Sequence, residues 1–177
     1  SLAQISKGRS LLGVCIAAGH EGELRAFGVG RAARVGRMKE GIELLRRIWS
    51  DEPVNHRGKY YTLENYNIVP KPVQKPPPIW IAVTPERDRA GDQVVDQAMR
   101  RVALLADGYI TMGVTAEEMA KRLHVIEQTA AELGRDLSNF EVGIQGMVNI
   151  NEDRQAAYAQ SKDYFNHYYG LTYPPES

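Results

Sequence analysis

The sequence is poor in cysteine, in net charge and in long apolar runs, and each shortage removes a class of function. Cys15 is the one cysteine in 177 residues, so neither an internal disulfide framework nor a multi-cysteine zinc site can form. Lysine plus arginine equals aspartate plus glutamate, at 22 each. No global field therefore favours nucleic acid or an anionic membrane. No apolar run approaches the ~20 residues that span a bilayer. The opening Ser1-Leu2-Ala3-Gln4-Ile5-Ser6-Lys7 lacks the basic-then-apolar plan of a signal peptide, and a cytoplasmic protein is expected. Several catalytic signatures are also missing: a G-x-G-x-x-G after a strand, a G-x-x-x-x-G-K-[ST] loop and a G-x-S-x-G elbow. His56, His124 and His167 show no metal-ligand spacing, and no metal is expected.

What is present is an alternation. Leu11 to Ala18 is a continuous apolar run, which reads as a strand buried on both faces. From Arg34 to Trp49, Met38, Ile42, Leu45, Ile48 and Trp49 recur at helical spacing. Val54-Asn55-His56 and Lys59 to Leu63 flank Arg57-Gly58 and read as a β-hairpin. Pro70 to Pro78 follows as a polyproline-like connector. Ile79 to Val83 is a second buried strand, and Val94, Val95, Ala98, Val102 and Leu105 mark the helix after it. Tyr109 to Met112 is a short strand. Thr115-Ala116-Glu117-Glu118 is a capping box opening a helix with Met119, Leu123, Ile126, Ala130 and Leu133 on one stripe. Phe140 to Ile150 reads as a strand, and Asn151 as the N-cap of a last helix.

Buried strands alternating with amphipathic helices imply a parallel sheet with right-handed crossovers. An open doubly wound sheet and a closed barrel both satisfy that pattern. At 177 residues the chain is short for a complete eight-fold barrel, which takes roughly 250. The lack of an initiator methionine and the closing Tyr173-Pro174-Pro175-Glu176-Ser177 lead us to expect an internal piece of a longer protein.

Four co-linear segments carry a resemblance. They are Arg9 to Val14 with Gly19 to Val29; Arg37 to Trp49; Arg57-Gly58-Lys59-Tyr60-Tyr61 with Pro70 to Pro76; and Pro78 to Ala82 with Arg101-Val102-Ala103 and Ala106-Asp107-Gly108-Tyr109. Together, over most of the chain, they resemble the bacterial luciferase-like family of flavin- and deazaflavin-dependent oxidoreductases. The resemblance implies an α/β fold: a partial (β/α)8 TIM barrel, from about strand 4 to helix 7. Residues 1–177 would form one incomplete domain, with 52–78 a hairpin and proline-rich excursion. A half-barrel exposes its core and strand edges, so the remainder of the parent chain or a homodimer partner is expected to cover them.

The resemblance also implies an activity, that of an FMN-dependent monooxygenase using reduced flavin and O2 on a small organic substrate, with a separate flavin reductase as partner. The alternatives are a hydride-transfer oxidoreductase using the deazaflavin coenzyme F420 and a non-catalytic flavin-binding protein. In a barrel, ligands bind at the C-terminal strand ends. That rule singles out Cys15 to Glu21, Val83 to Asp92 and Thr111 to Val114, and the resemblance places the cofactor at the last two, making Ala82, Val83, Thr84, Thr111 and Met112 the candidate cofactor-binding residues. The Thr84 hydroxyl and the amides after it suit a phosphate, with Arg87 or Arg89 as added charge. His20 is the candidate for substrate or ring contact. Cys15 reads as a small core residue, and Glu21 as a partner for Arg34 or Arg37. No residue is assigned as catalytic acid or base.

Overall fold

The computed structural model describes residues 2–16, 21–84 and 91–169. The chain divides into two compact units, residues 1–145 and 146–177. In the first, helix α1 (Leu2–Ile5) leads to β1 (Leu12–Val14), α2 (Glu21–Ala26), a 3-10 turn (Arg31–Ala33) and α3 (Arg34–Ile48). Strands β2 (Val54–Arg57) and β3 (Thr62–Tyr66) precede β4 (Ile79–Ala82), α4 (Asp92–Leu105), β5 (Gly108–Met112), α5 (Ala116–Glu132) and β6 (Glu141–Gln145). The second unit carries α6 (Arg154–Tyr169). No described helix is long and apolar enough to cross a membrane.

The main sheet has the order β1-β4-β5-β6, and all three pairings are parallel. This is the sheet implied by strands alternating with helices. Its register aligns Gly13 with Trp80, Trp80 with Gly108, Ala82 with Ile110, and Ile110 with Gly143. Because side chains alternate along a strand, one face carries Ile79, Ile81, Tyr109 and Thr111. The helices cover that face: Ile42 of α3, Val95, Met99 and Val102 of α4, and Met119 and Ile126 of α5 share one core with Ile79, Ile81 and Tyr109. The opposite face carries Gly13, Trp80, Ala82, Gly108, Ile110, Met112 and Gly143. It is the face that a barrel would turn inward.

Several sequence expectations change in detail. β1 stops at Val14, so Leu11 and Cys15 are exposed; as the end strand of the sheet it has one ladder partner, β4. β6 likewise ends at Gln145, and Ile144 and Ile150 are exposed. The 70–78 connector bends repeatedly and forms no regular element. Side chains pin it instead: Lys71 Nζ donates to the Ile48 carbonyl at 3.0 Å, and Lys75 Nζ to Asp51 at 2.8 Å. In the second unit the cap of α6 is Asp153, not Asn151. Asp153 Oδ1 accepts from the Gln155 amide at 2.8 Å, while Asn151 Oδ1 accepts from Asp153 itself.

The N-terminal end of the sheet is closed by a charged hub. Asp107 Oδ2 accepts from the Ile79 amide and from Arg46 Nη2, both at 2.9 Å. Arg135 Nη2 lies 3.6 Å from Asp107 Oδ1 and donates to the Ala106 carbonyl beyond α4. A cation suits that position, because the last carbonyls of a helix lack partners within it.

Two side chains of α3 hold the hairpin: Arg47 Nη2 donates to the Asn55 carbonyl at 2.7 Å, and the Glu40 carboxylate binds the turn. Glu40 accepts from the amides of Lys59, Tyr60 and Tyr61 and from His56 Nε2, at 2.9–3.2 Å. Burial raises the pKa of Glu40, but hydrogen bonds from His56 and from the Tyr60 and Tyr61 amides outweigh it, and the net shift is downward. Gly58 is required here, since a Cβ would collide with the Glu40 carboxylate and the His56 ring.

Candidate functional site

β4 and β5 end side by side. The ladder runs one residue past β4, with the Val83 amide donating to the Ile110 carbonyl at 3.1 Å. Gly113, at φ 64°, then turns the chain out of β5. Ala82, Val83, Thr84, Thr111 and Met112 therefore gather at one rim. Strand alternation divides them. Ala82 and Met112 share the inward face with Ile110, and Thr84 is exposed at the strand end. Val83 packs against the helix-side core. Thr111 is 2% exposed, and its hydroxyl accepts from Arg122 Nη1 at 3.3 Å; its side chain belongs to the helix layer. His20, Arg87 and Arg89 lie outside the described residues.

Sequence reasoning missed Arg122. It lies on α5 between Met119 and Ile126 and is 2% exposed. A buried guanidinium needs donors satisfied and charge compensated. Its Nε donates to Glu118 at 2.7 Å, and its Nη1 to the Tyr109 hydroxyl at 2.8 Å, to Thr111 and to the Val83 carbonyl at 3.5 Å. The Tyr109 hydroxyl also donates to the Val83 carbonyl at 3.4 Å. The signal was in the sequence. Residue 122 is three after Met119 and four before Ile126, so a 3.6-residue period sets it on the apolar stripe. Glu118 stands one turn earlier, at the spacing of a helical ion pair.

The capping box is formed on its threonine side, with Thr115 Oγ1 accepting from the Glu118 amide at 3.1 Å. A concavity of about 350 Å³ lies between β1, α2 and α3, lined by Cys15, Leu24, Phe27, Met38, Leu45 and Tyr61 among others. Cys15 is thus an exposed thiol rather than a core residue. Arg34 donates to the Ile16 carbonyl at 3.1 Å; the Glu21 side chain, its expected partner, lies outside the described residues. Among the described residues no group of three His, Cys, Asp or Glu side chains is arranged to hold a metal.

A model of the family described as luciferase-like monooxygenase matches residues 1–176. The chain belongs to that family. One relative in the luciferase-like family, the F420-dependent glucose-6-phosphate dehydrogenase of Segniliparus rotundus, is 30% identical over 122 residues, covering 68% of this chain and 33% of that protein. The FMNH(2)-dependent dimethylsulfone monooxygenase of Pseudomonas fluorescens is 26% identical over 169 residues, or 92% of this chain and 42% of that protein. The chain thus spans less than half the length of either. Among solved structures, an F420-dependent secondary alcohol dehydrogenase in complex with an F420-acetone adduct superposes with a TM-score of 0.77. The identity is 18%, covering 99% of this chain and 51% of that one.

The likeness decides the closure that periodicity left open. The parallel sheet of this luciferase-like chain is part of a (β/α)8 barrel. Trp80, Ala82, Ile110 and Met112 accordingly face the barrel axis, and the Arg122 network sits outside it, in the layer between strands and helices.

Proposed function

We propose that this chain forms the β4–β5 part of the cofactor site of an FMN-dependent monooxygenase that uses reduced flavin and O2 on a small organic substrate. The observation that carries this reading is the rim itself. In a chain matched almost end to end by the luciferase-like family model, two adjacent parallel strands end with apolar inward side chains beside the exposed Thr84.

The residues present fit such a group. Ala82, Ile110 and Met112 offer an apolar wall with no charge, suited to a flat ring, and Thr84 adds a hydroxyl and an amide at the rim for a phosphate. A bound flavin or deazaflavin supplies the two-electron redox chemistry. The chain's own part is to orient the ring, keep water from its inner face and hold the anionic tail. Val83 and Thr111 contribute through their backbone, since their side chains are committed to the helix layer. His20 remains the candidate for contact with substrate or ring, and no acid or base is assigned.

An F420-dependent hydride-transfer enzyme is the second reading, favoured by the 30% identical glucose-6-phosphate dehydrogenase. Absorbance separates the two, because a bound oxidised flavin absorbs near ~450 nm and a deazaflavin near ~420 nm. Purified protein that binds neither FMN nor F420 in titration would overturn both. A separate flavin reductase belongs to the first reading, and oxygen uptake that depends on one tests it. Self-association, or the rest of a longer chain, would cover the inward face. A reducing compartment such as the cytoplasm suits the exposed Cys15 thiol.

A further inference from the structure

Resting on the proposed cofactor site, we infer that Arg122 is its positioning residue: from the helix layer it sets the Val83–Thr84 peptide so that the Thr84 amide faces the barrel mouth, where it meets the cofactor's phosphate.

The geometry starts at the Val83 carbonyl. Within the strand, carbonyls lie along the sheet and serve the ladder. Among the described residues the Val83 carbonyl instead takes donors from the Tyr109 hydroxyl at 3.4 Å and from Arg122 Nη1 at 3.5 Å. Both donors belong to the helix side of the sheet, so the carbonyl is turned toward that side. The Val83–Thr84 bond is trans, and in a trans peptide the N–H points opposite to the C=O. The Thr84 amide is therefore directed toward the inward side, above Ala82. An amide aimed at an anion in a site of low polarity is a strong donor, and its strength depends on its direction.

Arg122 is suited to this part and not to direct contact. It is 2% exposed, Glu118 at 2.7 Å balances its charge, and its guanidinium also ties down Tyr109 and Thr111. Arginine serves Glu118 through Nε and the other acceptors through Nη1, two nitrogens held in one plane, whereas lysine would have to serve both sides from a single nitrogen. Of the two donors to the Val83 carbonyl, one is Arg122, and the other, Tyr109, is itself fixed by Arg122. Among the described residues, Arg122 therefore acts on the peptide both directly and through Tyr109.

The test compares ligands that differ at the phosphate. FMN and riboflavin, and F420 and its phosphate-free deazariboflavin core, are titrated against the full chain and its variants by fluorescence. In the wild type the phosphorylated member of one pair binds more tightly than its partner. Arg122→Met is expected to weaken that phosphorylated ligand about tenfold, the scale of one hydrogen bond to a charged group, and its phosphate-free partner by less than about twofold. Arg122→Lys recovers part of the loss. Tyr109→Phe preserves the buried ring and removes one donor to Val83, so it gives a smaller loss in the same direction and carries the test if Arg122→Met does not fold. Equal weakening of both members of a pair, or no change, overturns the inference while leaving the cofactor reading intact. So does a wild type that binds both members equally. A wild type that binds none of the four overturns the cofactor reading, and the inference with it.

Discussion

Substituting Gly108 by alanine tests the packing of the inward face directly. A Cβ at Gly108 would lie 2.5–2.7 Å from Nε1, Cε2 and Cδ1 of Trp80, whereas carbon atoms in contact sit about 3.5–4.0 Å apart. The indole must retreat by roughly 1 Å to restore that spacing. It has little room, because its far edge already lies over Gly143, where a Cβ would come within 2.9 Å of Cζ3. Overpacking of this kind costs about 1–3 kcal/mol. Alanine returns about 0.5–1 kcal/mol through lower backbone entropy in the unfolded chain, so a net loss of about 1–2 kcal/mol is expected. Urea unfolding followed by tryptophan fluorescence measures it. Gly13 is the internal control: it shares the face, and a Cβ there meets nothing within 4 Å, so Gly13→Ala should be neutral or slightly stabilising. Trp80→Phe in the Gly108→Ala background should recover most of the loss, giving a coupling of about 1 kcal/mol or more. Unchanged stability in Gly108→Ala, or additive effects with Trp80→Phe, would show that the indole does not lie across β5.

Three further perturbations follow from the polar contacts. Glu40→Gln should weaken the hold of the hairpin on α3. The folded pKa of Glu40 is lowered from 4.5, so its stabilisation is complete above that value and is lost as pH falls through the lower folded value. The stability gap between wild type and variant, measured by chemical unfolding, should therefore shrink in acid; a gap that widens there would refute the assignment. Asp107→Ala removes the acceptor of the Ile79 amide and the partner of Arg46, and should cost about 1–3 kcal/mol in the same assay for leaving a buried donor unsatisfied. Thr115→Ala deletes the side-chain cap of α5 and should cost about 1 kcal/mol, with faster amide exchange confined to the first turn of that helix.

The sequence made the parallel alternation legible because Ile79 to Ala82 and Tyr109 to Met112 are apolar whatever face they turn. The same property hid where strands stop. Leu11 to Ala18 reads as one buried run, yet β1 spans three residues, because ladder length depends on the neighbouring strand. The rule that barrel ligands bind at C-terminal strand ends places the candidate residues at the rim but says nothing of how they face. Only the register, Ala82 opposite Ile110, shows that Met112 points inward and Thr111 toward Arg122. On α5 the stripe was read through Leu123 and Leu133, and Leu133 proves 53% exposed. The buried line runs through Arg122 instead. A charged residue at a core position looks like noise in an apolar count, and here it marks the polar network beneath the rim.

β4 is clasped at both ends by arginine-centred networks that never enter the barrel interior. At its start the Ile79 amide is held by Asp107, itself held by Arg46 and Arg135. Just past its end, the Val83 carbonyl is held by Tyr109 and Arg122. Between these points lie only Trp80, Ile81 and Ala82, so the strand has little freedom to slide or rotate. Placing the charges in the helix layer solves two problems together. A guanidinium on the inward face would have to be desolvated by any flat apolar ligand, whereas behind the sheet its cost is met once, on folding, by Glu118 and Asp107. The inward face is then free to stay apolar, and in the proposed site the polar contact at its edge comes from a backbone group whose direction the buried cation sets.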